Sequence, residues 1–396
     1  MRRVYVQGIG AVTPLGPTWR ASVVPLAEGR SAIREVTHFD VERFPCRVAA
    51  AIETDTGDED RRLPLAVAAA EEAWQEAGRP HGRLGVFLGA ESGRARLSTI
   101  LALCQAAGGA KTFDHGRFGK EARSLASRIN AAVVSPAAVA SVLAQRFGAK
   151  GPVETISLAC ASGLAAIAEG TRALRAGDCE VALCGGVGAD VDPLMLAGFG
   201  LMGALSTRGA SCPFDVRRDG FVVGEGAALV VLSVEQQGTA VQVSGEARTL
   251  DAYHLTAPDP NGEGACGAMA GALKMAGRDR VDYVQAHGTS TALNDEVEAQ
   301  AIRRVLANTL DGTQVSSVKG ALGHWIAGAG AIGFVCAVEA IRSGTLLPTA
   351  GLAEVDPRCA LPHVLGHSIH KKIDAALVNA FAFGGSNCSV VVERCA

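Results

Sequence analysis

The sequence has few aromatic residues and almost no excess of charge of either sign. Aromatic side chains make up 5% of its 396 residues, and the formal net charge is −3 at pH 7. A chain this close to neutral has no global field that would attract nucleic acid or an anionic membrane surface. We therefore expect no nucleic acid and no membrane among its partners.

Long apolar runs and metal-ligating cysteine pairs are missing as well. No apolar run reaches the ~20 residues that a membrane-spanning helix requires, and no signal-peptide pattern precedes the first strand-like run, which starts near Val4. The 11 cysteines form no CxxC pair, and most of them lie in apolar stretches. These absences predict a cytoplasmic protein with reduced thiols and no metal site.

Small and hydrophobic residues are plentiful. Hydrophobic residues make up 48% of the chain, and its 48 glycines are spread evenly, which favours close helix–sheet packing. Short apolar runs alternate with alanine-rich helical stretches, and this predicts an α/β fold with buried sheets. The predicted strands are 3–9, 84–89, 153–157, 180–185, 227–234, 281–286, 313–317 and 375–381. The predicted helices are 63–77, 136–148, 161–176, 265–276, 295–308 and 328–343.

A weak internal repeat relates two of these helices. An offset of 167 residues aligns Ala173, Leu174, Arg175 and Gly177 with Ala340, Ile341, Arg342 and Gly344, and Gly163 with Gly330. If the repeat is structural, two similar halves pack face to face with these helices at the centre. We place the halves at residues 1–235 and 236–396.

Cys160 is the candidate nucleophile. It follows a strand-like run and precedes Ala161-Ser162-Gly163 and a helix of small residues, so its sulfur should lie at a helix N-terminus. The helix dipole and the unpaired N–H groups there favour a thiolate, and they can bind an oxyanion that forms beside the sulfur. A buried structural cysteine is the alternative from this segment alone.

Two of the nine histidines lie in equivalent settings. His287 and His324 each follow a strand, at the edge where α/β sheets bind ligands. Lys319 precedes His324 by five residues, while Asp295 and Glu298 follow His287 at the start of a predicted helix. Lys319 and Glu298 could form a buried pair that sets histidine protonation, or an ordinary structural salt bridge; the two interpretations are compatible.

The last candidate element is the turn Phe383-Gly384-Gly385, which follows the final predicted strand. Its glycines make the turn flexible. It could act as an apolar gate, supply a backbone N–H donor, or be a plain tight turn. Phe381, two residues earlier, is a second candidate for the gate.

Together these motifs resemble those of the β-ketoacyl-acyl-carrier-protein synthases of the KAS I/KAS II type, condensing enzymes of the thiolase superfamily. The similarity covers nearly the whole chain. It rests on Ala-Cys-Ala-Ser-Gly around Cys160, Ala-His-Gly-Thr-Ser-Thr around His287, Ser-Val-Lys-Gly-Ala-Leu-Gly-His ending at His324, and Phe-Gly-Gly-Ser-Asn at 383–387. The resemblance implies an α/β, thiolase-like duplicated five-layer α/β/α/β/α fold and, usually, a homodimer.

The resemblance also implies a ping-pong condensation. Cys160 would accept an acyl chain from the phosphopantetheine arm of an acyl carrier protein, and malonyl carrier protein would then bind beside His287 and His324. Decarboxylation would give an enolate that attacks the acyl thioester, yielding a β-ketoacyl chain and CO2. The N–H groups of Cys160 and Phe383 would form an oxyanion hole, and Phe383 would also gate the two steps. No nucleotide, flavin or metal cofactor would be needed.

Further residues are assigned by the resemblance alone. Ser92 and Phe199 would line the acyl pocket. Arg61, Arg62 and Arg208 would dock the carrier protein.

Four departures from the family pattern concern the acyl substrate. Segment 88–96 carries Ser92 or its neighbours where an apolar residue usually gates the acyl pocket, and segment 105–130 is longer than expected. The turn from Arg208 to Pro213 is short. Gly333 stands where the family commonly has Glu, so that a carboxylate and a bound monovalent cation could be missing. We expect a specialised synthase, for a polyketide or polyene, rather than one for housekeeping fatty-acid elongation.

Three rival functions are open from the sequence. A chain-length-factor-like subunit of a heterodimeric ketosynthase would typically lack the active cysteine, although an intact subunit could still need a heteromeric partner. A thiolase would carry a second cysteine in the C-terminal glycine turn, where this chain has Phe383. A KAS III-type starter synthase would have Asn in place of His324.

Overall fold

The structure is a computed structural model that describes residues 2–53, 60–94, 97–126, 131–238 and 241–395. Within these ranges it has 14 strands and 12 α-helices. The strands are β1 Val4–Val12, β2 Arg34–Glu35, β3 Val48–Ala49, β4 Leu84–Gly89, β5 Val153–Ile156, β6 Val181–Ala189, β7 Glu225–Ser233, β8 Val241–Leu250, β9 Tyr283–Gln285, β10 Gln314–Ser316, β11 Thr345–Leu346, β12 Ile369–His370, β13 Ala375–Phe381 and β14 Ser386–Arg394. The helices are α1 Trp19–Ala27, α2 Arg62–Glu76, α3 Leu97–Ala106, α4 His115–Ser124, α5 Ala131–Val134, α6 Ala138–Arg146, α7 Ser162–Ala176, α8 Pro193–Leu201, α9 Glu263–Ala276, α10 Ala292–Val305, α11 Lys319–Leu322 and α12 Ala329–Ser343.

Ten of the strands form one continuous sheet in the order β10-β9-β13-β14-β8-β1-β7-β6-β4-β5. The sheet consists of two five-stranded halves with the same internal order, since β1, β7, β6, β4 and β5 correspond to β8, β14, β13, β9 and β10. In both halves the three strands farthest from the junction are parallel, and the other two pair antiparallel. The halves meet where β1 pairs antiparallel with β8, at Val4–Val243 and Tyr5–Gln242.

Helices α7 and α12 pack between the two halves of the sheet. Strand side chains alternate between faces, so that Ala376, Val378 and Ala380 of β13 join the central core while Ala375 and Leu377 face the other way. Helices α2 and α6 cover the outer face of the N-terminal half, and α9 and α10 cover the outer face of the C-terminal half. The result is the predicted five-layer α/β/α/β/α arrangement.

The 167-residue repeat is structural. Helices α7 and α12 are each 15 residues long and follow short 3-10 turns, Ala159–Ala161 and Ile326–Gly328. These turns begin with the same unusual positive φ, 47° at Ala159 and 48° at Ile326. Both helices end at a left-handed glycine, Gly177 or Gly344. Each pair of equivalent positions is separated by 167 residues.

The two central helices approach each other at their glycines. A Cβ added to Gly163 would lie 2.8 Å from the carbonyl oxygen of Ala327, and one added to Gly330 would lie 2.8 Å from the Cβ of Leu164. Bulkier residues would therefore force the helices apart. Because α7 carries Cys160 at its start, this close packing also fixes the nucleophile relative to the C-terminal half.

Every predicted strand and helix is present, with ends that differ by a few residues. Helix α10 begins at Ala292, three residues before its predicted start. The long strands β8 and β14 were not predicted. Segment 105–130 contains the exposed helix α4, and its last four residues, 127–130, lie outside the described ranges.

One described segment, Ile326–Ser343, is long and apolar enough to cross a membrane, which the sequence did not lead us to expect. It is 18 residues long and 83% buried inside the protein. The segment consists of the central helix α12 and the 3-10 turn before it. Its apolar surface is therefore used in packing against both halves of the sheet.

We predict that Gly330→Ala destabilises the protein, because the new methyl group would press on the main chain of Leu164 at the helix contact. Overpacking of this kind costs about 1–3 kcal/mol in free energy of unfolding. The matched control is Gly198→Ala in α8, where nothing lies within 4 Å of the added Cβ. Urea denaturation that finds both variants as stable as the parent would contradict the close helix contact.

Candidate active site

Three buried side chains converge from loops at the carboxyl edge of the sheet. Cys160 follows β5, His287 follows β9, and His324 follows the short helix after β10. The Cys160 sulfur and one ring nitrogen of each histidine all lie within 4.8 Å of one another. The two imidazole rings are 5.5 Å apart and nearly perpendicular, at 82°. The arrangement thus places one nucleophile beside two potential hydrogen-bond donors or proton carriers.

Cys160 lies in the 3-10 turn that leads into α7. The Ser162 hydroxyl closes this turn: it accepts a hydrogen bond from the Leu158 N–H at 2.8 Å and lies 2.7 Å from the Ala159 carbonyl oxygen. Holding Ala159 at a positive φ costs conformational energy that the surrounding structure must offset. The turn therefore has a defined shape that sets the direction of the sulfur.

Burial raises the pKa of the Cys160 thiol to about 12. The positive charge of Lys319 and the backbone N–H groups of Phe383 and Cys160 lower the pKa, but they do not compensate for the loss of solvent. The carboxylate of Glu91 adds a further increase. The resting sulfur is therefore a thiol, and the thiolate expected from the helix N-terminus is not its resting form.

His287 is held through its main chain by two charged side chains. The Glu298 carboxylate accepts hydrogen bonds from the N–H groups of His287 and Gly288, both at 2.7 Å. The Lys319 ammonium donates to the His287 carbonyl oxygen and lies 3.4 Å from Nδ1 of the ring. Because an ammonium group can only donate, Nδ1 is the acceptor and the ring proton is on Nε2.

His324 has the same tautomer for a different reason. Its Nδ1 accepts the N–H of Ile326 at 3.1 Å, so its proton is also on Nε2. Burial, followed by the charge of Lys319, holds the pKa values of both His287 and His324 well below the ordinary range. The site therefore contains two neutral imidazoles, each with an Nε2–H to donate.

Lys319 and Glu298 do not form the direct pair that the sequence suggested. They contact opposite ends of His287, its carbonyl oxygen and its N–H, and no ion pair joins them. Burial lowers the pKa of Lys319 to about 8 and raises that of Glu298 to about 7. Asp295 accepts the N–H groups of Thr289, Ser290 and Phe214 and so fixes the loop after His287.

Phe383 and its glycines form a turn beside the sulfur. The Phe383 side chain is half-buried against the apolar cluster that contains Cys160, and Gly384 and Gly385 have φ values of 82° and 77°. Only glycine adopts these angles without strain. Phe381 is buried, and its ring lies 6.0 Å from that of His287.

Comparison with known proteins agrees with this geometry. The family model for the N-terminal domain of β-ketoacyl synthases matches residues 1–238, and the model for the C-terminal domain matches residues 240–353. The chain belongs to the β-ketoacyl synthase family. As a ketoacyl synthase it is an acyltransferase, and the thiolase and KAS III-type alternatives are excluded by this match together with Phe383 and His324.

Relatives of the synthase come from both fatty-acid and polyketide systems. It is 35% identical to the 3-oxoacyl-[acyl-carrier-protein] synthase 2 of Synechocystis sp., over 99% of this chain and 98% of that one. Its structure resembles a ketosynthase in complex with a type II polyketide acyl-carrier protein (TM-score 0.84, 28% identity, 99% of both chains). It also resembles the ishigamide ketosynthase/chain length factor (TM-score 0.84, 28% identity, 100% of both chains).

The structure buries one of the two proposed acyl-pocket residues and leaves the other exposed. Phe199 of the synthase is buried in the apolar cluster of Cys160, and its ring lies 5.2 Å from that of Phe221. Phe221 in turn lies 5.1 Å from the ring of His324. Ser92 is exposed. Its neighbour Glu91 accepts a hydrogen bond from the Ala159 N–H of the nucleophile turn.

One of the three proposed docking arginines, Arg62, points inward, and this corrects the sequence interpretation for that residue, whereas Arg61 is partly exposed. Arg62 is 6% exposed and binds Asp60 and the carbonyl oxygens of Glu91 and Val133. Arg61 pairs with the fully buried Glu225. Neither guanidinium is a free surface cation, because each neutralises a carboxylate of its own chain. Arg208 is exposed.

Gly333 is enclosed by uncharged side chains. A Cβ at this position would meet Gln285 Cγ at 3.3 Å and Val378 Cγ1 at 3.5 Å. The Gln285 amide oxygen accepts a hydrogen bond from the Tyr283 hydroxyl at 2.6 Å. The space that the larger residue of the family would occupy is therefore partly filled, and no carboxylate extends from this position.

Sequence reasoning gave no role to Glu91, Asn379 and Phe221. Asn379 donates a hydrogen bond to Glu298 at 3.1 Å and accepts one from Ser389 at 2.8 Å, so it fixes the carboxylate that holds His287. A single amide inside the apolar strand β13 was a signal that could have identified it. Glu91 and Phe221 gave no local signal, since their partners are distant in the sequence.

We predict that condensation depends on the charge of Lys319. Because its pKa is about 8, the ammonium group that orients His287 is lost as the pH rises through that value. Single-turnover condensation from preformed acyl-enzyme, in which Cys160 does not titrate, should therefore fall up to about tenfold per pH unit above pH 8. In Lys319→Arg, which stays charged, the decline should disappear even if the rate is lower. A parent rate that stays constant to pH 9.5 would contradict this role.

Proposed function

We propose that the protein catalyses decarboxylative Claisen condensation of an acyl thioester on Cys160 with malonyl-acyl carrier protein. The products are β-ketoacyl-acyl carrier protein and CO2. The observation that carries the proposal is the convergence of the Cys160 sulfur and the two histidine nitrogens within 4.8 Å. A chain-length-factor-like role has less support, because all three of these side chains are present and brought together.

In the first half-reaction the Cys160 sulfur attacks the carbonyl carbon of the incoming thioester. The N–H groups of Cys160 and Phe383 face the sulfur and would stabilise the tetrahedral oxyanion. When the intermediate collapses, the bond to the pantetheine sulfur breaks and the proton of Cys160 leaves with the pantetheine thiol. Because the resting sulfur is protonated, the proton that it loses on attack is the one that the departing pantetheine sulfur takes up, so the half-reaction consumes no net proton.

In the second half-reaction the malonyl C–C bond breaks and CO2 leaves. The electron pair that remains forms an enolate, whose oxygen would accept hydrogen bonds from Nε2–H of His287 and His324. Neutral donors that are already oriented stabilise charge that develops only in the transition state. The enolate carbon then attacks the acyl-Cys160 carbonyl, the C–S bond breaks, and the released thiolate takes up a proton. This chemistry needs no nucleotide, flavin or metal.

We also propose the organisation in which this chemistry takes place. Residues 1–235 form the half that carries Cys160, and residues 236–396 form the half that carries His287, Lys319 and His324. The repeated strand order supports this division. The partners are an acyl carrier protein and a second ketosynthase subunit, identical or related, and the compartment is the cytoplasm. The complexes named for similar structures support these partners.

The acyl substrate is proposed to be that of a specialised polyketide or polyene pathway. Glu91 and Ser92, in the segment that usually gates the pocket with an apolar residue, support this proposal. So does the similarity to polyketide ketosynthase structures. Arg208, the exposed member of the three arginines, is the proposed contact for the acidic carrier protein.

We expect Cys160 to be the site of acylation. Intact-mass measurement after incubation with acyl-carrier protein should show one acyl adduct on the parent protein and none on Cys160→Ala. The matched control is Cys184→Ala, which removes another fully buried thiol at a strand and should leave the adduct in place. An adduct that persists in Cys160→Ala would refute the assignment.

A panel of acyl chains, each offered on carrier protein and on free pantetheine, tests substrate and docking together. We expect polyunsaturated or β-keto chains to be used at least about tenfold more efficiently than saturated medium and long chains, a difference of about 1.4 kcal/mol.

Arg208→Glu should raise KM for carrier-bound substrates only, because the lost contact is with the carrier protein. Arg20→Glu, an exposed cation on α1, is the charge control. Equal use of saturated chains would refute the specialised substrate, and an unchanged KM would refute docking at Arg208.

A further inference from the structure

The carboxylate of Glu91 lies against the turn that carries the nucleophile. Its Oε1 accepts the Ala159 N–H at 2.9 Å, and its Oε2 accepts the Ser157 hydroxyl at 2.8 Å. The Ser162 hydroxyl lies 3.2 Å from Oε1, but its single proton is shared with the closer Ala159 carbonyl oxygen at 2.7 Å. Glu91 therefore contacts the chain on both sides of Cys160.

The segment that carries Glu91 is itself fixed at several points. Arg62 donates to the Glu91 carbonyl oxygen. Arg94 binds Asp190 at 2.8 Å and Asp192 at 2.7 Å, and Asp192 is the N-cap of α8. Since α8 contains Phe199, the segment connects the wall of the acyl cluster to the nucleophile turn. Within its described part, the contacts of Glu91 and Arg94 therefore attach the segment to its neighbours at both ends.

Ala159 is the residue in the turn that most needs support. It has a φ of 47°, in the left-handed region that alanine rarely adopts. A hydrogen bond from its own N–H to Glu91 stabilises this conformation directly. The equivalent residue of the C-terminal half, Ile326, donates its N–H to Nδ1 of His324 instead. In both halves, the N–H of the residue with positive φ is therefore bound by a side chain at the site.

We propose that Glu91 is a positioning residue for the nucleophile: it holds the turn 157–162 in the shape that directs the Cys160 sulfur toward the histidines and the Phe383 N–H. This role rests on the proposed condensation. The carboxylate has no cationic partner within 4 Å among the described residues, so its charge also acts on the sulfur, opposite in sign to that of Lys319. The other titratable groups that face the sulfur are His287 and His324.

Two small thiol reagents test the effect of the Glu91 charge on the sulfur separately from the effect of the turn shape. Iodoacetate is anionic and iodoacetamide is neutral, and both alkylate the same sulfur. In Glu91→Gln the repulsion of the anion is lost, so the ratio of the iodoacetate rate to the iodoacetamide rate at Cys160 should rise about threefold. A change in turn shape or access alone would affect both reagents alike. Glu354→Gln, an exposed carboxylate elsewhere on the chain, should leave the ratio unchanged.

The acylation rate tests the hydrogen bonds. Glu91→Ala removes both acceptors and should slow first-turnover acylation of Cys160 about tenfold, the loss expected for a helix-cap type of hydrogen bond. Glu91→Gln keeps one oxygen for the Ala159 N–H and should recover part of this rate. Thermal melting of each variant verifies folding, and if Glu91→Ala does not fold, the Gln variant decides through its own acylation rate, which should lie below that of the parent.

Acylation at the parent rate in folded Glu91→Ala, or in folded Glu91→Gln if the Ala variant does not fold, would overturn the positioning role, and an unchanged reagent ratio in folded Glu91→Gln would overturn the effect of its charge on the sulfur. Failure of the condensing function itself would look different. In that case the parent protein would not be acylated at all, while alkylation of Cys160 and its reagent ratio could still be measured.

Discussion

The contact between α7 and α12 is the constraint on which the rest of the structure depends. Their small residues let two helices lie side by side between the halves of the sheet, and the neighbouring side chains leave no room for a Cβ at Gly163 or Gly330. The nucleophile is at the start of one helix, and His324 is just before the other. Any change in the separation of the helices would therefore change the distance between the Cys160 sulfur and the His324 ring. The geometry of the site thus depends on how the core is packed.

Burial raises the pKa of the Cys160 thiol and lowers the pKa values of the two histidines, and both shifts suit the proposed chemistry. The raised pKa of Cys160 favours the thiol, and the lowered pKa values of both histidines favour neutral rings that donate from Nε2. Lys319, the buried cation that contacts the site, is used on the His287 carbonyl oxygen and ring. Among the described residues, the charges that act most on the sulfur are those of Lys319 and Glu91, whose effects oppose each other.

Local patterns predicted the elements, and the family motifs predicted the three residues that meet. The antiparallel strands β8 and β14 were missed because β8 alternates buried and half-exposed residues and β14 starts with the polar pair Ser386-Asn387, so neither begins as a continuous apolar run. The protonation of Cys160 could not be predicted, since it depends on burial by distant residues. The ion pair of Arg61 could not be predicted for a similar reason: its partner Glu225 is 164 residues away.

The duplication explains why residue 91 has a role at all. Glu91 lies two residues after the end of β4, and His287 lies two residues after the end of β9, the equivalent strand of the other half. The offset of 167 residues likewise relates Ser157 to His324 and Cys160 to Ala327. The active site is thus built from two copies of the same strand ends and turn, facing each other across α7 and α12. One copy supplies the sulfur and the other supplies both imidazoles. The position equivalent to His287 in the copy with the sulfur is close enough to hold the nucleophile turn, and in this chain it carries the carboxylate of Glu91.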